Sequence, residues 1–131
     1  MPERFVKLKL SLIDCLDNDE ISKMEMVGKI SENPYTIQYL EEDKTTKVTM
    51  TLLDDSIELK REYEGRTTMN FCLNKWGMFE IKDDQSVFSG NVETLNMIRN
   101  NDLIYIHYRL FVNDDLITEQ KLELVIKEAE A

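Results

Sequence analysis

One histidine, two cysteines, two prolines and four glycines are all that 131 residues contain of these types, and each scarcity removes a class of protein. With His107 the only imidazole, a His-rich metal site is excluded, and no Ser-His-Asp or Cys-His signature lies beside it to suggest nucleophilic catalysis. Cys15 and Cys72 are far apart and form no Cys-x-x-Cys pair, which favours reduced, inert thiols over a redox or zinc motif. Positive charge is also short: 16 Lys and Arg against 26 Asp and Glu leave a net charge of -10, with no strongly basic stretch to hold a nucleic-acid backbone. Apolar runs never approach the ~18 residues of a membrane-spanning helix. The start, MPERFVKLKL, interleaves charged with apolar residues and so does not read as a signal peptide. The expectation is a cytoplasmic chain with no membrane and no nucleic-acid partner, of a length that suits one domain over residues 1–131.

What the chain does contain is two-residue alternation. Val6, Leu8, Leu10 and Leu12 alternate with Lys7, Lys9 and Ser11, the pattern of a half-buried strand, and the phase breaks at Ile13-Asp14-Cys15, where a bulge is expected. A turn at Asp17-Asn18-Asp19-Glu20 leads into a strand over Ile21 to Ser31, with Met24, Met26, Gly28 and Ile30 on one face; Gly28 suits a bend or a close backbone approach. Glu32-Asn33-Pro34 turns the chain into Tyr35, Ile37 and Tyr39, which end in Glu41-Glu42-Asp43. Val48, Met50 and Leu52 mark the next strand. After Asp54-Asp55 comes a hairpin, SIELKREYEGRTTMNFCL, folded back at Glu64-Gly65. Its first strand sets Ile57, Leu59, Arg61 and Tyr63 on one face, and its second sets Thr67, Met69, Phe71 and Leu73.

Asn74-Lys75-Trp76-Gly77 predicts a turn into a short strand from Met78 to Lys82. Between Asp83 and Asn101 the pattern weakens: a strand from Val92 to Ile98 and a helical turn both fit. Leu103 to Val112 is rich in aromatic and β-branched residues, Asn113-Asp114-Asp115 turns, and Leu122, Leu124 and Ile126 alternate again before a tail, Glu128 to Ala131, expected to fray. No segment has a convincing helical period. The whole predicts an all-β antiparallel meander of about 8 to 10 strands, closed into an up-and-down barrel that leaves no long edge exposed.

Tyr35-Thr-Ile-Gln-Tyr39-Leu-Glu41-Glu42, the Thr-rich strand after it, Arg61 shortly before a Gly turn, Met69-x-Phe71 and the closing Ile104-x-Ile106-x-Tyr108 together resemble the YwiB-like family. That is a bacterial family of unknown function with a calycin-like, lipocalin-related β-barrel. Trp76-Gly77-Met78-Phe79-Glu80-Ile81 is the nearest match to the family's Gly-containing motif, and the stretch from Asp83 to Asn101 departs from its pattern. The resemblance implies a fold rather than an activity, and it implies a phase: Ile104, Ile106, Tyr108 and Leu110 inside, His107 and Arg109 outside.

Arg61 is the functional clue, because it interrupts an apolar row. With Tyr63 it forms an Arg-x-Tyr pair resembling the one by which fatty-acid-binding barrels hold a carboxylate, and a guanidinium in a low-dielectric interior calls for an anion. The bland alternative is an arginine paired with an inward glutamate, or with carbonyls at the barrel end, or snorkelling to solvent, with Tyr63 marking the strand's rim. Tyr35, Tyr39, Met26, Met50, Met69, Phe71 and Tyr108 would line the remaining cavity, or simply fill it as core. A strict meander also gathers the acidic turns of Asp17, Asp19, Glu20, Glu41, Glu42, Asp43, Asp83, Asp84, Asp114 and Asp115 at one mouth, which would suit a hard cation or a basic partner; acidic residues are equally the usual builders of turns. Trp76 would close a barrel end or anchor a partner.

Two functional expectations follow. The first is a non-enzymatic barrel that binds a small amphipathic or anionic ligand, with Arg61 and Tyr63 at its polar end and no cofactor or metal. The second is a protein-interaction or assembly module, homodimeric or with another protein, that has a solid core and uses its acidic outer surface or an open edge.

Overall fold

The computed structural model describes residues 3–17 and 19–128 and shows ten strands and, among those residues, no helix. In chain order they are β1 (Arg4–Asp14), β2 (Asp19–Ser31), β3 (Tyr35–Leu40), β4 (Lys47–Leu52), β5 (Ser56–Glu62), β6 (Arg66–Cys72), β7 (Gly77–Lys82), β8 (Val87–Arg99), β9 (Leu103–Val112) and β10 (Asp115–Glu128). Each pairs antiparallel with its neighbours in sequence, and β10 pairs with β1 to close a barrel. This is the expected calycin-like meander. Closure follows from the alternation: every strand has one apolar face, and only a ring buries all of these faces at once.

The strands are of two lengths. β1, β2, β8, β9 and β10 run 10 to 14 residues, whereas β3 to β7 run 6 or 7. The β2–β3 ladder therefore spans only Gly28–Ser31 against Thr36–Tyr39, and among the described residues Asp19–Val27 has no strand on that side. Gly28 sits where this ladder starts; a Cβ there would lie 2.3 Å from Leu8 Cδ1, so glycine serves the close approach. Register shifts occur only on long strands, between Leu12 and Ile13 of β1, between Thr94 and Asn96 of β8 and between Leu116 and Thr118 of β10.

The interior is one cluster of side chains from both groups of strands, including Leu8, Ile37, Met50, Ile57, Phe71, Ile104, Ile106 and Leu124, each almost wholly buried. Tight turns use residues that accept positive φ at low cost: Asn113 (φ 51°) and Asp114 (φ 69°) form a two-residue link between β9 and β10, and Asn33 and Asn74 occupy comparable positions.

Several expectations change. The stretch from Asp83 to Asn101 carries no helical turn but one 13-residue strand, β8. Its alternation is broken by the bulge at Leu95: Val92 and Thr94 pair with the inward Leu110 and Tyr108, and after the bulge Met97 and Arg99 pair with the inward Ile106 and Ile104. Asp19 and Glu20 belong to β2 rather than to a turn, Asn18 lies outside the described residues, and so does the tail from Ala129 to Ala131. Cys72, although it alternates with the inward Phe71, is buried as well. Trp76 is exposed and does not close a barrel end; it leans edge-on against Phe111 on the outer face, with ring centroids 5.4 Å apart.

Candidate functional site

In a meander, the turns that follow β1, β3, β5, β7 and β9 share one mouth, and Asp17, Glu41, Glu42, Asp43, Asp83, Asp84 and Asp114 fall in them, whereas the Asp54-Asp55 turn after β4 lies at the other. Arg61, near the end of β5, faces that mouth. Its Nε donates to Glu41 Oε2 at 2.8 Å and its Nη2 to Glu41 Oε1 at 2.9 Å, a two-pronged pair with Glu41 in the turn after β3. The hydrogen bonds to Glu41 hold the guanidinium's pKa above its ordinary value. The Arg61 side chain is 49% exposed and that of Glu41 only 14%. Tyr63 lies beyond the end of β5, more than half exposed, and does not enter the barrel.

The other residues expected to line a cavity divide into two groups. Tyr39, Met50, Phe71 and Tyr108 are core, with the Phe71 and Tyr108 rings 4.9 Å apart; burial raises the phenol pKa of both tyrosines. Tyr108 donates to Gln120 Oε1, so its hydroxyl is already engaged. Met26, Met69 and Tyr35 are partly buried and pack against the core. Tyr35 stands at the opposite mouth from Arg61, where its hydroxyl accepts from Arg4 Nη2 at 3.3 Å. That mouth is also crossed by Arg99, whose Nη1 donates to the carbonyls of Leu53 and Ser56 at 2.6 and 3.1 Å.

The acidic turns are largely occupied with their own backbone. Asp43 accepts from the amides of Thr45 and Thr46 and from the Thr46 hydroxyl, which together hold its carboxyl down at about 2. Asp83 accepts from the amides of Gln85 and Ser86 and is lowered for the same reason. Among the described residues, these turns bring no three carboxylates together as cation ligands.

A cluster that the sequence conceals lies on the outer face of the long strands. Cys15, just past β1, has its amide bonded to the carbonyl of Glu119 on β10 at 2.8 Å. Glu119 is held from two sides, by Arg109 Nε at 2.8 Å and by His107 Nε2 at 2.7 Å, both from β9. These contacts, that of Arg109 foremost, lower the Glu119 carboxyl pKa, whereas burial and then Glu119 raise that of the Cys15 thiol. His107 and Arg109 point outward as expected, but His107 is only 21% exposed and Cys15 lies beside it. His107 and Glu119 are 12 positions apart on the β9–β10 hairpin, and Cys15, about ninety residues earlier, reaches them only because β10 closes on β1. The sole advance signal was the outward phase of His107 and Arg109, since the pattern breaks at Ile13-Asp14-Cys15 and leaves Cys15 unassigned.

The same outer face carries an apolar row. Register places Met78 (β7), Asn91 (β8), Phe111 (β9) and Leu116 (β10) side by side, with Trp76 against Phe111. Trp76 and Met78 are 58% and 62% exposed. A shallow cleft runs between Trp76, Asn91, Glu93, Phe111 and Asp114.

The crystal structure of ywiB protein from Bacillus subtilis superimposes on this barrel with a TM-score of 0.75 at 12% identity, over 98% of this chain and 94% of that one. At that identity the likeness speaks for the fold. No curated protein matches the sequence. The family described as "Domain of unknown function (DUF1934)" matches residues 7–124. Nearly the whole of the barrel is covered by that match, and the chain belongs to the DUF1934 family.

Proposed function

We propose that this domain is a protein-interaction module that docks a partner on the outer face of β7 to β10 and uses its interior as a solid core. The observation that carries this reading is the outward-facing row of Met78, Phe111 and Leu116, of which Met78 and Leu116 are exposed and Phe111 is half-buried, with the exposed Trp76 edge-on against Phe111. Aromatic and methionine side chains grouped on a surface and rimmed by charge are the composition of a binding patch. Glu80 and Asp114 stand around it, with Glu93 paired to Arg109 at 3.5 Å, on a chain of net charge -10. A partner segment with an apolar anchor flanked by lysine or arginine fits this chemistry.

An internal ligand is the second reading, and it rests on the Arg61-x-Tyr63 pair. Two placements weigh against it: Glu41 already neutralises Arg61, and Tyr63 lies outside.

The test is in-cell crosslinking from position 78, with a photoreactive residue in place of Met78, followed by mass spectrometry. A partner peptide crosslinked at that position, and lost in Trp76→Ala and in Glu80→Lys, supports the module. A crosslink pattern indifferent to both changes rejects it. Native mass spectrometry on protein purified from cells addresses the second reading. A small molecule present in the wild type and absent in Arg61→Ala would favour it over the docking face.

A further inference from the structure

We infer that Cys15, His107 and Glu119 form a binding site for a zinc-like divalent ion, on the outer face of the closure between β1, β10 and β9. None of its three donors lines the docking face proposed above, although Arg109 links the two by pairing with both Glu93 and Glu119. One sulfur, one nitrogen and one carboxylate oxygen lie within 4.8 Å of one another. In a tetrahedral zinc site the ligand atoms stand roughly 3.3 to 3.6 Å apart, so small side-chain rotations suffice to bring the three donors onto one ion. Thiolate, imidazole and carboxylate together are the donor set of a borderline ion rather than of magnesium or calcium, which take oxygen. Three protein ligands leave the fourth position for water or for a donor from elsewhere.

The backbone has already fixed the three positions. The Cys15 amide is bonded to the Glu119 carbonyl, and His107 and Arg109 are on the strand paired with Glu119 in the β9–β10 ladder. Arg109 Nε occupies Glu119 Oε1 at 2.8 Å and leaves Oε2, at present 2.7 Å from His107 Nε2, to face the ion together with that nitrogen. Arg109 would thus act as the outer partner that orients a metal-bound carboxylate. Binding displaces the His107–Glu119 hydrogen bond. The Cys15 thiol gives up its proton to solvent, and His107 binds as neutral imidazole with its remaining proton on Nδ1. Thiolate and carboxylate then balance the two charges of the ion.

The probes are Zn2+ and Co2+ alone, added to the full-length reduced protein. The expected result is one equivalent of Zn2+ bound, and with Co2+ a thiolate-to-cobalt charge-transfer absorption. Both should disappear in Cys15→Ser and His107→Gln and persist in Cys72→Ser. Independently of any variant, Zn2+ should protect Cys15 of the wild type from alkylation, as read by peptide mass spectrometry. The inference is overturned by no stoichiometric binding, by binding that survives both Cys15→Ser and His107→Gln, or by alkylation of Cys15 at the same rate with and without Zn2+.

Discussion

Glu41 holds Arg61 by both carboxylate oxygens, at 2.8 and 2.9 Å, across the mouth formed by the turns after β3 and β5. The two residues stand twenty positions apart, and the pair ties the turn after β3 to β5, a strand with which β3 shares no ladder. Because Arg61 is half exposed and solvent screens it, Arg61→Ala should destabilise the barrel by only about 1 kcal/mol. Arg61→Lys should recover part of that, since an ammonium cannot match both oxygens. The midpoint of urea unfolding reads both. A loss several times larger would mean that the pair organises the mouth more than its exposure suggests.

Arg61 also marks where the sequence stopped being legible. The two-residue period of Val6 to Leu12, Ile57 to Arg61 and Leu122 to Ile126 predicted strands, faces and closure, because burial on one side of a sheet leaves a strict record in the chain. That record says which way a side chain points but not how far along the barrel it lies. Arg61 has the predicted inward phase, yet it stands at the rim, and Tyr63 is one step beyond the end of the ladder. β8 was hidden by a different cause. The extra residue at Leu95 reverses the phase midway, so that neither half of the strand shows a long pattern. Cys15 joins His107 and Glu119 only through the closing of β1 on β10, and such contacts between distant residues leave no local periodicity to read.

Asp43 supplies a pH dependence. Its carboxyl sits at about 2 because the Thr46 hydroxyl and amide and the Thr45 amide all donate to the charged form. An unfolded chain would titrate the same group near 3.9. A carboxyl lowered by folding stabilises the folded state fully above the unfolded value, and that contribution is lost as pH falls through about 2. Unfolding midpoints followed downward from pH 5 should therefore fall less steeply in Asp43→Asn than in the wild type. Parallel curves would show that the turn draws nothing from the ionised carboxyl.

Gly90 lies on the inner face of β8, opposite Phe79. A Cβ built there would come 2.1 Å from the carbonyl oxygen of Phe111 and 2.6 Å from Phe79 Cε1. The ring could turn aside, but the carbonyl is part of the β9 backbone. Gly90→Ala should cost about 2 kcal/mol through overpacking, with a matching fall in thermal midpoint. An alanine variant as stable as the wild type would mean that β8 and β9 can separate locally.

Thr94 gives the opposite sign. It faces inward on β8 opposite Tyr108 and is 8% exposed, and among the described residues its hydroxyl oxygen has no hydrogen-bond partner. The Tyr108 hydroxyl could have served, but it donates to Gln120 instead. Burying a hydroxyl without a partner costs of order 1 to 3 kcal/mol, and valine keeps the branched shape while removing the polar atom. Thr94→Val should therefore stabilise the barrel by about 1 kcal/mol, whereas Thr94→Ala, which removes the methyl contact as well, should not. Urea unfolding of the two variants checks the pair. If valine destabilises, the hydroxyl has a partner, and an ordered water between Thr94 and Tyr108 would be the first place to look.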